Sequence, residues 1–115
     1  DVEPLSTRLA RGPLEAAAWG AVGRCIGAFH RAGVFHADLT AHNLQIDGRD
    51  RIFLLDFDRG SLRGEGGRWR EANLARLHRS FTKISEDPAI RFTPREWRWL
   101  LDGYRTGPAA VAAGP

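Results

Sequence analysis

One stretch constrains this chain more than any other. It runs His36-Ala37-Asp38-Leu39-Thr40-Ala41-His42-Asn43, and then two short apolar segments follow, 43–47 and 52–56. Between those segments stands Asp47-Gly48-Arg49-Asp50. Turn residues between two apolar runs predict a β-hairpin. A hairpin returns the chain to its starting end, so Asn43 at its entry and Asp56 at its exit are expected side by side. Asp38 stands five residues before Asn43, on a tight turn from which a carboxylate can point into a cleft.

An amide and two carboxylates gathered this way suit phosphoryl transfer from a metal-bound nucleotide. One carboxylate orients the acceptor hydroxyl and accepts its proton, the expected role of Asp38. An amide oxygen and a second carboxylate, Asn43 and Asp56, hold Mg2+ on the phosphates. His36 is expected to hold the loop by hydrogen bonds, and His42, beside the metal ligand, to orient it. The competing reading is a solvated polar loop beside a hairpin with an acidic end. His-x-Asp alone is a weak signal; followed by Leu-x-x-x-Asn, an apolar strand and Leu-Asp-Phe-Asp it is a strong one.

The other elements follow from spacing. Pro13 is expected to open a long helix, with Glu15 in its first turn and Leu14, Ala18, Val22, Cys25, Ile26 and Phe29 on one face. Gly33 would end it in a left-handed cap. Residues 1–11 read as an irregular lead-in with room for a helical turn, and Gly60–Gly67 as a mobile loop. A second helix is expected over about 70–85, with Leu74, Leu77, Phe81 and Ile84 inward and Arg70, Arg76, Arg79 and Lys83 off that face. A third is expected over about 94–105, with Thr93 as N-cap, Pro94 in the first position and Glu96 in the first turn. The Gly-, Pro- and Ala-rich residues 106–115 are expected to fray as a flexible tail. Helices around one short hairpin make an α+β fold, and one unit over residues 1–105.

Composition excludes several classes. No apolar run approaches the ~20 residues of a membrane helix, and no signal-peptide pattern opens the chain. One cysteine, Cys25, excludes an internal disulfide and is expected to pack against the core; both features suit a cytoplasmic setting. The chain starts at Asp1, so it is expected to be a piece of something longer. Net charge is +3, and all seventeen basic residues except Lys83 are Arg. Two readings fit that bias: codon usage in a GC-rich genome, or anion binding through the Arg fork. Nucleic acid is not indicated, since no helix-turn-helix, zinc or stacking motif accompanies the charge. His30 and His78 are expected to be hydrogen-bonded structural residues. Trp69 is expected in the core, and of Trp97 and Trp99 one is expected in the core and one exposed.

His36-Ala-Asp38-Leu39-Thr-Ala-His42-Asn43 resembles the catalytic loop of the protein-kinase-like superfamily. Ala37, Ala41-His42-Asn43 and Leu55-Asp56-Phe57-Asp58-Arg59-Gly60 more specifically resemble the 3-deoxy-D-manno-octulosonic acid (Kdo) kinase family, which belongs with the lipopolysaccharide core heptose kinases. Gly67-Arg68-Trp69-Arg70-Glu71-Ala72-Asn73-Leu74-Ala75-Arg76-Leu77-His78-Arg79-Ser80 and Phe29-His30-Arg-Ala-Gly33-Val34 share that resemblance, which covers about residues 14–84. It implies a kinase-like C-terminal lobe with its catalytic loop at 36–43 and its metal-binding segment at 54–60. It further implies ATP-dependent phosphorylation of a Kdo hydroxyl on a lipid A precursor, peripherally on the cytoplasmic face of the inner membrane of a Gram-negative bacterium. Asp58 replaces the Gly of Asp-Phe-Gly, as in the Kdo kinase pattern, and is expected beside the metal or paired with Arg59. Arg59, Arg63, Arg68 and Arg70 would meet the sugar carboxylate, lipid phosphates and anionic membrane surface.

The chain carries no glycine-rich phosphate loop before the catalytic loop and no strand Lys followed by a helix Glu. The N-terminal lobe is thus expected to lie outside it, and alone the chain would leave ATP without its phosphate cover and its Lys. Val34, Leu44 and Ile46 are expected to be exposed where that lobe would sit, with poor solubility as a result. The alternatives are another phosphotransferase of this fold (heptose kinase, aminoglycoside-type or small protein kinase) and a truncated, non-catalytic lobe.

Overall fold

The computed structural model describes residues 1–54, 60–62 and 68–113. In chain order its elements are β1 (Val2–Pro4), α1 (Leu5–Ala10), α2 (Ala16–Arg31), β2 (Val34–His36), β3 (Leu44–Asp47), β4 (Ile52–Leu54), β5 (Gly60–Leu62), α3 (Trp69–Ile84) and α4 (Pro94–Ala113). The α+β class expected from sequence is the one observed.

Glycines decide how α2 and α4 meet. A Cβ on Gly23 would lie 1.9 Å from Leu100 O, and one on Gly103 would lie 2.0 Å from Gly20 O. Backbone therefore touches backbone there, and only Gly fits. Beside this crossing Leu14, Ala18, Val22, Ile26 and Leu100 are buried, while Cys25 and Phe29 are half-buried. Burial pushes the Cys25 thiol up to about 11, which leaves it unreactive.

α2 begins at Ala16, three residues later than Pro13, because Glu15 is extended (φ −79°, ψ 166°) and serves as N-cap. It ends as expected, with Gly33 at φ 79°. α3 buries Leu77 and Phe81, with Leu74 and Ile84 half-buried. Trp19 and Phe92 complete that core: Trp19 meets Phe81 edge-on at 5.0 Å, and Phe81 stacks on Phe92 at 5.1 Å.

α4 opens with the expected cap. Thr93 N–H donates to Glu96 Oε1 at 2.8 Å, and Arg95 N–H donates to Thr93 Oγ1 at 3.3 Å. The helix spans Pro94–Ala113, eight residues past the end expected for it. Pro108 has no N–H for the Tyr104 carbonyl, and Arg31 Nη1 supplies the missing donor at 3.2 Å. Trp97 and Trp99 do not divide into core and surface. Both are half-buried, Trp97 at 4.8 Å from the His78 ring and Trp99 under the Arg95 guanidinium at 4.9 Å.

The sheet corrects the reading of the N-terminus. β1, β3 and β4 form an antiparallel sheet in the order β1-β3-β4, with Glu3 opposite Ile46 and Leu44 opposite Leu54. Residues 2–10, read as irregular, supply β1 and α1, and Leu5 and Leu9 of α1 are fully buried. Leu44 (0% exposed) and Ile46 (2%) therefore lie in the core, not on an exposed edge, and Val34 is half-buried. The hairpin turn is held by Asp47, whose Oδ1 accepts from Arg49 N at 2.9 Å and Arg51 N at 2.8 Å, while Asp50 takes φ 60°. Gly60–Leu62, read as loop, is a strand paired antiparallel with β2, Gly60 opposite His36.

Candidate active site

The loop between β2 and β3 carries the candidate residues Asp38, His42 and Asn43, and its first anchor is His36. The residue is 3% exposed. Its Nδ1 accepts the Asp38 N–H at 3.1 Å, and its carbonyl accepts from Asn73 Nδ2 at 2.8 Å. An accepting Nδ1 carries no proton, which leaves the ring N–H on Nε2. Both contacts tie His36 to the loop and to α3.

Asp38 is half-buried, and both carboxylate oxygens have partners. Asn43 Nδ2 donates to its Oδ2 at 3.1 Å and to its backbone carbonyl at 2.8 Å; Arg76 Nη2 donates to its Oδ1 at 3.1 Å. Both Asp38 atoms facing Asn43 can only accept, which fixes the amide nitrogen toward them. The Asn43 amide oxygen is then the atom left for a cation, and a hard cation such as Mg2+ takes oxygen ligands. The donor chemistry thus fits. β4 runs antiparallel to β3 with Leu54 opposite Leu44, so it returns to the end where Asn43 stands. Asp56, Asp58, Arg59 and Arg63 lie outside the described residues. Among the described residues no three His, Cys, Asp or Glu side chains gather to hold a metal.

His42 is exposed and bonded through Nδ1 to Ser6 Oγ at 2.9 Å, while Ser6 N–H donates to Ala41 O at 3.2 Å. α1 thus clamps the loop beside Asn43. Arg68 and Arg70 sit at the other end of α3. Arg68 pairs loosely with Glu71 at 3.8 Å, and Arg70 lies over the half-buried Trp69 ring at 5.2 Å.

Three further residues, all on α3, escaped the sequence reading of the site. Arg76 grips Asp38. Ser80 Oγ accepts the Ala41 N–H at 2.9 Å. Asn73, 2% exposed, spans from the loop to the core. Its Nδ2 holds His36 O, and its Oδ1 accepts from His30 Nε2 at 2.9 Å; His30 Nδ1 accepts from the Tyr104 hydroxyl at 2.8 Å. Oδ1 can only accept, so His30 carries a proton on Nε2; in the neutral ring Nδ1 then accepts from the Tyr104 O–H. Burial is the main cause lowering the His30 pKa from 6.5; the Asn73 hydrogen bond opposes it, and the charges of Arg70 and Arg31 assist it. Burial likewise raises the Tyr104 pKa. One signal was available: Asn73 and Ser80 are polar residues on the apolar stripe of Leu77, Phe81 and Ile84, seven apart, with Arg76 between them.

Sequence comparison follows the same residues. The lipopolysaccharide kinase (Kdo/WaaP) family profile matches residues 2–104. A 3-deoxy-D-manno-octulosonic acid kinase of Xylella fastidiosa (strain M12) is 44% identical over 94 residues, 82% of this chain and 38% of the relative. One from Xanthomonas campestris pv. campestris (strain B100) is 57% identical over 88 residues, 76% of this chain and 35% of the relative. Another, from Xanthomonas euvesicatoria pv. vesicatoria (strain 85-10), is 56% identical over 88 residues, with the same 76% and 35%. The chain thus spans little more than a third of the length of these relatives. The matched residues include the whole of the Asp38 loop, the hairpin and α3, and the chain belongs to the lipopolysaccharide kinase (Kdo/WaaP) family.

Proposed function

We propose that the protein containing this chain transfers the γ-phosphoryl group of ATP to a Kdo hydroxyl of a lipid A precursor, and that this chain is its kinase-like C-terminal lobe. The observation that carries the reading is the Asp38 carboxylate, held from one side by Asn43 and from the other by Arg76. The relatives' name, 3-deoxy-D-manno-octulosonic acid kinase, suggests the acceptor.

In this reading Asp38 aligns the acceptor hydroxyl for in-line attack and takes its proton as the new O–P bond forms and the bond to the leaving diphosphate breaks. Arg76 and Asn43 fix the carboxylate, and such positioning is where catalysis of phosphoryl transfer resides. Asn43 Oδ1 and Asp56 would hold Mg2+, which supplies charge neutralisation on the phosphates. His36 and His42 keep the loop in register, and Asp58 supports the metal side. Arg59, Arg63, Arg68 and Arg70 meet anionic groups of the acceptor and the membrane surface. The phosphate cover and the nucleotide Lys come from an N-terminal lobe in the same protein. Among the described residues no helix is long and apolar enough to cross a membrane, and the reading places the protein peripherally on the cytoplasmic face of the inner membrane.

The test is transfer of radiolabel from [γ-32P]ATP with Mg2+ to Kdo-bearing lipid A precursor by the complete protein. Transfer that vanishes in Asp38→Ala, with ATP binding intact, is the expected result. Label moving instead to a heptose, aminoglycoside or protein acceptor would overturn the acceptor assignment. No ATP binding at all would favour a non-catalytic lobe.

A further inference from the structure

Behind the Asp38 loop, between it and α3, lies an open groove of about 340 Å3 lined by Thr40, His42, Arg76, Arg79, Ser80, Lys83 and Ile84. Its α3 wall is one helical face: positions 76, 79, 80, 83 and 84 follow steps of three and four. Three of those five residues are cations, and one of them is the only lysine in the chain.

Among the described residues, the Arg76–Asp38 pair is the ion pair made by a cation of this groove. Arg76 spends one nitrogen on Asp38. Arg79 and Lys83 are exposed, and among the described residues neither has an ion-pair partner. Arg76 and Arg79 stand three apart, Arg79 and Lys83 four apart, spacings at which like charges repel by a few tenths of a kcal/mol each. A helix built only for stability would interleave acids here. The neighbouring donors add to the bias. Ser80 Oγ is occupied as an acceptor by Ala41 N–H, which leaves its hydroxyl proton to donate. His42 is bonded through Nδ1, and its ring edge lies in the same groove. Thr40 stands two residues after Asp38, and Arg76 both lines the groove and bonds the Asp38 carboxylate.

We propose that this groove seats a phosphomonoester of the acceptor, a second anionic group on the molecule whose hydroxyl Asp38 addresses. The inference rests on the kinase reading given above. A dianionic tetrahedral group offers enough oxygens to use Arg76, Arg79 and Lys83 together with the Ser80 and Thr40 hydroxyls; a carboxylate satisfies one Arg fork and leaves the other cations unpaired. Seating it would orient the acceptor so that its hydroxyl, and not a neighbouring one, reaches Asp38.

The test uses the complete protein and the double variant Arg79→Gln/Lys83→Gln. Two substrates are compared: the phosphorylated acceptor, and the same acceptor after phosphatase treatment. The variant is expected to raise KM for the phosphorylated acceptor at least tenfold, to leave KM for the dephosphorylated acceptor within twofold, and to leave KM for ATP within twofold. Equal rises for both acceptors, or none, would overturn the proposal. A rise confined to ATP would assign the groove to the nucleotide and overturn it as well. Direct binding of the two acceptors to wild type and variant, read by intrinsic Trp fluorescence, separates this proposal from the kinase reading. If the wild type transfers no phosphate yet prefers the phosphorylated acceptor in a manner lost in the variant, the groove stands and the reaction assignment falls. No preference in binding overturns the groove whatever the turnover. Inorganic phosphate that binds as tightly as the acceptor would likewise overturn it, by assigning the seat to the free ion.

Discussion

Replacing Asn73 by Ala should loosen the loop and the core together. Asn73 is 2% exposed and bonds two groups that are themselves buried, the His36 carbonyl and His30 Nε2–H. Alanine cannot replace either bond. Leaving a buried donor or acceptor without a partner costs about 1–3 kcal/mol. Moving the His30 proton to Nδ1 would reverse the Tyr104 hydrogen bond but still leave Nε2 buried without a partner. A loss of about 2–4 kcal/mol follows. Urea unfolding of the complete protein, followed by far-UV circular dichroism, measures it, with an unchanged slope separating lost stability from a changed denatured state. Asn73→Asp is the control. It keeps the shape and the His30 bond but sets an oxygen against the His36 carbonyl, so it should recover less than half of the loss. A change below about 0.5 kcal/mol in Asn73→Ala would refute the idea that this side chain ties the loop to the core.

The same network predicts a pH dependence. His30 has a folded pKa below its unfolded value of 6.5. Below 6.5 the unfolded chain takes up a proton that the folded ring refuses, so stability falls as pH drops from 6.5 toward the folded pKa and is flat above. The slope approaches at most about 1.4 kcal/mol per pH unit. Subtracting the unfolding curve of His30→Gln isolates it; a difference independent of pH between 7 and 5 would contradict the buried neutral ring. Gly103→Ala should cost about 2–3 kcal/mol in the same assay, at the upper end of overpacking, because the new Cβ meets the Gly20 backbone at 2.0 Å and not a movable side chain. Arg76→Gln should separate stability from function. The Arg76 and Asp38 side chains are 46% and 37% exposed, so the pair is screened and its loss should cost under about 1 kcal/mol. Turnover should nevertheless fall about tenfold or more, since Asp38 loses the partner that fixes it.

The sequence was most legible where local chemistry dictates structure. Asp47-Gly48-Arg49-Asp50 announced the hairpin, Gly33 the end of α2, and Thr93 with Glu96 the start of α4, because each rule concerns residues within a turn of one another. It was least legible where a distant partner decides. Val2–Pro4 is a strand only because β3 offers its edge, and Leu44 and Ile46 are buried only because β1 and α1 cover them. α4 passes Pro108 because Arg31, on another helix, satisfies the Tyr104 carbonyl. The site divides in the same manner. Asp38, Asn43 and His36 were found from spacing along one loop. Asn73, Arg76 and Ser80 reach that loop from α3, more than thirty residues away, and the helical pattern alone reads Arg76 as a solvated surface residue.

The account turns on Asp38 as the group that addresses the acceptor hydroxyl. The direct measurement is single-turnover phosphoryl transfer to the Kdo-bearing acceptor by wild type and Asp38→Asn, with ATP affinity and Tm measured on the same preparations. Asparagine keeps the shape but cannot take the proton. The account predicts a fall in the transfer rate of about a hundredfold or more, with ATP affinity within threefold and Tm within a few degrees of wild type. Transfer at the wild-type rate by a folded, ATP-binding Asp38→Asn would contradict it.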